Sequence, residues 1–209
     1  MTSDDIGAVK AEIRTRALAR RDALDPQWRA RVSADLARSA KAIVGDGAGI
    51  VAAFWPIRSE IDPRPLMERL TAMGAELALP AVIDRQTIAF RRYRPGDRLE
   101  RGSFGTMAPG PGAETVDPDM LLMPLAAFDA AGNRLGYGAG HYDRAIARLR
   151  QAGRDPRLVG LAFSCQRETA IPAEAHDVPL HAVVTEQGLQ ALATPPQRNE
   201  PADTIGSAR

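Results

Sequence analysis

The chain has 209 residues, 44% of them hydrophobic and 25% charged, with a formal net charge of +1 at pH 7. That length suffices for one domain with a full apolar core, and the near-neutral balance gives no pointer to nucleic acid or a membrane surface. A single cysteine, Cys165, excludes an internal disulfide framework and fits a reducing compartment.

The chain opens MTSDDIGAVKAEIRTR, with early acids and no apolar run, so it does not read as a secretory signal. No stretch reaches the length of a membrane-spanning helix. The expected compartment is the cytoplasm. Residues 3–24 read as a helix, with Ser3 as its cap and Ile6, Val9, Ile13 and Ala17 at helical spacing. Lys10, Arg14 and Arg21 share another face of it, and Lys10 and Lys41 are the chain's two lysines. Asp25-Pro26 signals a second helix with Val32, Leu36, Ala40 and Ile43 inside and Gly45 as its stop. The run GIVAAFW (49–55) reads as a buried strand. Asp62-Pro63 repeats the cap-and-proline signal for a helix ending at Gly74, and strands follow at 75–80 and, near an edge, at 87–93.

Residues 94–118 are rich in glycine, proline and acids and read as one long loop. A central strand is expected at 119–128, turn chemistry at 129–133, a glycine-rich stretch and then a helix to about Arg150. Strands at 157–164 and 181–186 complete the pattern. Residues 192–209 are polar without a core pattern and read as a disordered tail, which leaves 1–191 as the single folded domain. The alternation of strands and helices predicts an α/β, Rossmann-like domain, with a mostly parallel central sheet flanked by helices. Ligands of such sheets bind beyond the carboxyl ends of the strands.

The segment GNRLGYGAGHYDR (132–144) carries the strongest chemical signal. Glycine allows positive φ and close approach to backbone amides. A helix N-terminus adds free N–H groups and the positive end of a dipole, which together suit phosphate. The pattern is not a P-loop, since no Gly-Lys-Ser/Thr ends it, and His141 stands where the dinucleotide fingerprint needs its third glycine. On spacing alone, a phosphate cradle and a purely structural turn both account for it. Asp143 in the first helical turn is either a dipole partner or, beside phosphates, a Mg²⁺ ligand. Arg134 and Arg144 flank the loop as phosphate partners or as solvated surface.

RLGYGAGHYDR (134–144) resembles the signature of the 5-formyltetrahydrofolate cyclo-ligase (5,10-methenyltetrahydrofolate synthetase) family. The likeness extends in order through KAEIRTRALARRDAL (10–24), AAFWPIRSEIDPRPL (52–66), FRRYRPGDRLERGSFGTMAP (90–109), LLMPLAAFDAAGNRLGYGAGHYDR (121–144) and LVGLAFSCQRETAIPAEAHDVPLHAVVTEQGL (158–189). It covers about residues 8–189. The resemblance implies a reaction that consumes ATP with Mg²⁺ and closes 5-formyltetrahydrofolate, with or without a polyglutamate tail, to 5,10-methenyltetrahydrofolate. It implies a monomeric enzyme with a small-molecule substrate and no nucleic-acid or membrane partner.

By the same resemblance, Lys10 and Arg14 contact ATP. Arg134, Leu135, Gly136, Tyr137, Gly138, Ala139, Gly140, His141 and Tyr142 wrap its phosphates. Gly138 to Tyr142 also meet the folate, together with Trp55 and Glu60. Asp143 and Asp177 hold the metal, and Arg134, Tyr142 and Asp143 serve the chemistry. A carboxylate such as Glu60 suits the adjacent N–H donors of a pterin. Without the family, Glu60 reads as an exposed loop acid, Asp177 as a turn residue and the basic helix face as solvated. Phe54 is expected in the core, and Met107 and Phe104 near the substrate. Ala139, His141 and Trp55 depart from the pattern: relatives often carry lysine or glycine, tyrosine, and tyrosine there. Two rival readings remain, a non-catalytic folate or nucleotide binder and an ATP-using enzyme for another formyl or pterin substrate. Three histidines and one cysteine offer no zinc spacing, and Cys165 lacks a base partner and reads as an inert thiol.

Overall fold

The computed structural model describes residues 3–192 apart from 46 and 48. The Ser3 cap, the Phe104 side chain and the expected tail from 193 onward lie outside the described residues. Helix α1 spans Ser3–Asp22. Helix α2, Pro26–Asp35, starts as its sequence demands: the Asp25 carboxylate accepts from the Trp28 amide at 2.8 Å and proline fills the first turn. The expected single helix to Gly45 is interrupted, because the chain tightens to a 3-10 turn at Leu36–Ser39 before α3, Ala40–Val44. Gly45 then leaves the helix at φ 62°.

Strand β1 is Ile50–Ala52, α4 Arg64–Ala72, β2 Glu76–Val82 and β3 Ile88–Tyr93. The stretch read as one long loop contains a small hairpin, β4 (Leu99–Arg101) with β5 (Met107–Pro109), which packs against β2 and β3. Its strands of three residues are too short for a periodic signal to stand out among glycines and prolines. Then come β6, Met120–Pro124, the two-residue strands β7 (Ala127–Phe128) and β8 (Arg134–Leu135), and α5, His141–Gln151. Strands β9 (Arg157–Leu161), β10 (Ala182–Thr185) and β11 (Gly188–Ala191) end the described chain. β11 was not expected; it pairs antiparallel with β10 across a turn at residues 186–187, and its first residue, Gly188, has φ 98°.

The sheet order is β11-β10-β9-β6-β1-β2-β3. The five inner strands run parallel, and only the two edges are antiparallel. The fold is therefore the α/β arrangement expected. Inner strands are buried on both faces, and neighbours along each strand alternate between two cores. Val51, Leu77, Leu122, Val159 and Val184 face the core shared with Leu36, Ile43, Leu66 and Leu70 of the α2-to-α4 layer. Ala52, Ala78, Leu121, Leu158 and Val183 face Ala145, Ile146 and Leu149 of α5. Helix α1 belongs to neither layer. Its Ile13 and Ala17 pack on Ala127, Leu135 and Ile171, so it lies across the β7–β8 hairpin beyond the carboxyl end of β6. Among the described residues, no helix is long and apolar enough to cross a membrane.

Candidate active site at the carboxyl ends of the central strands

The direction in which successive strands are added to the sheet reverses between the parallel strands β1 and β6: from β1 they proceed to β2 and β3 on one side, from β6 to β9 and β10 on the other. Such a switch point opens a crevice where two loops leave in opposite directions. Three loops meet there. Residues 53–62 follow β1, the β7–β8 hairpin and glycine stretch follow β6, and residues 162–181 follow β9.

The glycine stretch is exposed backbone from 136 to 139. Gly138 has φ 96° and Gly140 φ 65°, conformations that a side chain would strain. Gly140 is the N-cap of α5 and brings no side-chain cap, so the first amides of this helix keep their donors for another partner. Arg14 Nε donates to the Gly136 carbonyl at 2.7 Å, tying α1 to the loop. Arg144 Nη2 donates to the Ala139 carbonyl at 2.6 Å and Arg144 Nε to the Gln86 carbonyl at 2.7 Å. A guanidinium thus stands against Ala139. His141 Nε2 lies 3.0 Å from the Arg85 carbonyl, which can only accept, so this nitrogen carries the proton.

At one end of the loop sits a charged cluster. The buried Lys10 ammonium donates to Asp177 Oδ2 at 2.6 Å and to Glu174 Oε2 at 2.7 Å. Burial penalises both charges, but their mutual hydrogen bond overcomes it, so the Asp177 pKa is lowered and the Lys10 pKa raised. The Arg134 side chain, 7% exposed, donates to Asp143 Oδ1 at 2.8 Å and to the Val178 carbonyl. The Val178 amide donates to the same Asp143 oxygen at 3.3 Å. Asp143 therefore rests on the peptide unit that follows Asp177. Each of the two carboxylates uses one oxygen for protein hydrogen bonds, Asp143 Oδ1 and Asp177 Oδ2. This donor set of hard oxygens fits Mg²⁺, which takes one or two carboxylates and completes its shell with phosphate and water. Among the described residues no group of three or more His, Cys, Asp or Glu forms an all-protein metal cage.

Glu60 lies at the other end. Its Oε2 accepts from the Ile57 amide at 2.8 Å and its Oε1 from the Tyr137 hydroxyl at 2.7 Å. Burial raises its pKa, against the pull of those two donors and of Arg21 and Arg58. Glu60 is thus not the exposed loop acid that its surroundings in sequence suggest. Tyr142 connects the two ends. Its ring packs on the α5 core, and its buried hydroxyl has no hydrogen-bond partner among the described residues. Burial and the Glu60 charge raise its pKa while Arg134 opposes them. A buried polar atom without a partner costs roughly 1–3 kcal/mol, so a ligand that satisfies it gains that much.

Trp55 meets the Tyr93 ring edge-on at 6.2 Å, with Arg64 Cζ 5.1 Å from its own ring, on the β3 side of the loop. Phe54 is core, 3% exposed. Met107 lies on β5. Cys165 is half-buried, and burial pushes its thiol up, as for an inert cysteine. Sequence reasoning left out two residues of this region, Arg21 and Ser59. Arg21 is 1% exposed and donates to Ser59 Oγ and the Tyr137 hydroxyl, both at 2.9 Å. Its place on the helix face of Lys10 and Arg14 was the available signal.

The model of the 5-formyltetrahydrofolate cyclo-ligase family matches residues 6–186. The chain is 35% identical over 144 residues to the 5-formyltetrahydrofolate cyclo-ligase of Escherichia coli strain K12, covering 66% of this chain and 78% of that one. It is 34% identical over 136 residues to the enzyme of that name from Haemophilus influenzae, covering 62% and 72%. Among solved structures it resembles the 5,10-methenyltetrahydrofolate synthetase of Aquifex aeolicus, with a TM-score of 0.76 and 30% identity over 94% of this chain and 99% of that one.

Proposed function

The chain belongs to the 5-formyltetrahydrofolate cyclo-ligase family, and on that premise we propose that it closes 5-formyltetrahydrofolate to 5,10-methenyltetrahydrofolate at the expense of ATP, with Mg²⁺, in the crevice between β1 and β6. One observation carries this reading. The uncapped N-terminus of α5 and its exposed glycine loop lie between a cationic and carboxylate cluster at one end and the Glu60 carboxylate at the other. The first half suits a triphosphate, the second a heterocycle with paired donors.

In the proposed course, the formyl oxygen takes the γ-phosphoryl group and ADP departs. N10 then attacks the activated carbon and gives up its proton, and the C–O bond breaks to release phosphate. Such chemistry needs placement and charge stabilisation more than covalent help from the protein. Lys10, Arg14 and Arg134 would supply positive charge along the phosphates, and the amides from Gly138 to Tyr142 would supply donors. Mg²⁺, held by Asp143 and Asp177, would neutralise charge on the phosphate oxygens. Glu60 would hold the pterin edge, and the unpartnered Tyr142 hydroxyl would meet the substrate near the transferred group. Arg144 favours catalysis over the silent-binder reading, since it brings a cation to the Ala139 position.

The test mixes purified protein with 5-formyltetrahydrofolate, ATP and Mg²⁺ at neutral pH and follows the near-ultraviolet absorption of the methenyl product. The expected result is a signal that needs all three additions and disappears with a chelator. Product formed without ATP, or none formed while both ligands still bind, sinks the reading.

A further inference from the structure

We infer that Tyr137, oriented by the buried Arg21, is a positioning residue that fixes Glu60 as a two-oxygen acceptor for the paired donors of the substrate. The inference rests on the reading of Glu60 as the pterin site. Its ground is the one-way order of a hydrogen-bond chain that joins three separate elements. Arg21, near the end of α1, has donors only. It gives one to Ser59 Oγ and one to the Tyr137 oxygen, each at 2.9 Å. Ser59 passes its own proton to Asp22. The Tyr137 oxygen, already accepting from Arg21, turns its single proton to Glu60 Oε1 at 2.7 Å. The Ile57 amide occupies Glu60 Oε2 at 2.8 Å, also as a donor. Both oxygens of Glu60 therefore accept, an arrangement that favours the carboxylate, whose oxygens are acceptors only.

The surroundings make this order consequential. Burial favours the neutral form of Glu60, and the groups that oppose it are the Ile57 amide, Tyr137, Arg21 and Arg58. Tyr142 also faces it, as a neutral phenol whose pKa is raised by burial and by the Glu60 charge. A protonated Glu60 would present a donor to the donors of a pterin and lose the substrate. Each carboxylate oxygen has a second lone pair, so the contacts from Tyr137 and Ile57 leave room for the ligand. Arg21 anchors the arrangement because its guanidinium is 1% exposed and cannot turn to water.

The experiment is a ¹³C-carboxyl NMR titration of Glu60, assigned by its loss in Glu60→Gln, in the wild type and in Tyr137→Phe. Calorimetric binding of 5-formyltetrahydrofolate and, separately, of ATP is followed over the same pH range. Tyr137→Phe is expected to move the Glu60 titration upward. Folate binding should weaken about tenfold within the titration range and much less above it, since one hydrogen bond to a charge is lost. ATP binding should change much less than folate binding, since phenylalanine keeps the backbone with which residue 137 would meet the phosphates. Site-specific 3-fluorotyrosine at 137, a stronger donor of nearly the same shape, should move both the titration and the acid limb of folate binding downward. It keeps the test informative if the phenylalanine variant does not fold. A Glu60 titration that stays in place in the substituted proteins overturns the inference, as does folate binding weakened equally at every pH. If Glu60 titrates as expected but Glu60→Gln binds folate like the wild type, the underlying pterin assignment is what fails.

Discussion

Asp143 is held by protein donors on one oxygen, and that arrangement separates its structural duty from its chemical one. Arg134 and the Val178 amide both address Oδ1. Asparagine keeps an acceptor oxygen for these contacts but loses the charge that binds a divalent cation. Asp143→Asn should lower turnover at least about a hundredfold. It should cost roughly 1–3 kcal/mol of stability, because the Arg134 side chain, 7% exposed, then lacks a counter-charge. Turnover measured against Mg²⁺ concentration, beside a denaturant melt, checks both. Near-normal activity at saturating Mg²⁺ would take Asp143 out of the metal site. At this scale the sequence exposed what is local. The glycine loop, the first-turn acid and the Asp25 cap announce themselves within a few residues. Glu60 and Arg21 did not, because the partners that define them are far along the chain: Tyr137 is 77 residues from Glu60 and 116 from Arg21.

Elements meet at this site through a few close backbone approaches, and Gly132 makes one of them. It lies in the β7–β8 turn at φ 87°, and the Leu180 amide donates to its carbonyl at 2.8 Å. A Cβ there would fall 2.7 Å from the Leu180 carbonyl oxygen, a backbone atom that cannot step aside alone. Gly132→Ala should therefore push the 177–180 segment away from the hairpin, at a cost of about 2–4 kcal/mol from strain and lost contact. Activity should fall further than folate binding does, since Asp177 is on the displaced segment and Glu60 is not. A melt, folate calorimetry and turnover on one preparation decide it; equal losses in binding and turnover would mean general disorder. The turn itself was legible as DAAGN, and so were the parallel strands, β1 as an apolar run between glycine and proline. What stayed hidden were elements made by pairing alone: β4, β5 and β11 are three or four residues long and exist because a neighbour supplies their hydrogen bonds.

For the molecule as a whole, two groups outside the proposed set of ligand-binding residues contribute to how stability answers to acid. His181 precedes β10, and its Nδ1 accepts from the Leu158 amide of β9 at 2.8 Å, a bond that needs an unprotonated nitrogen. Burial lowers its pKa from 6.5, ahead of smaller charge effects. Folded protein thus binds this proton less readily than unfolded chain. The contribution is complete above 6.5 and is lost as pH falls through the lowered folded value. Glu168 acts later. Burial opposes its ionisation, but Arg20 at 2.5 Å and Arg16 at 2.9 Å overcome it and hold its pKa below 4.5. Its contribution stands above 4.5 and disappears as pH falls through the folded value. Since Glu168 is bound to two arginines of α1 and its amide to the Phe128 carbonyl, losing its charge loosens the helix that carries Lys10 and Arg14. Thermal melts across pH should therefore fall in two stages, the first starting near 6.5 and the second below 4.5. His181→Asn, which retains an acceptor oxygen, should remove the first stage and leave the second. Glu168→Gln should keep the first stage and shrink the second, to which Asp177, Asp84 and Glu114 also contribute, with a weaker affinity for ATP from the loosened helix. A single stage in the wild type, or a first stage that survives in His181→Asn, would show that acid acts through other groups.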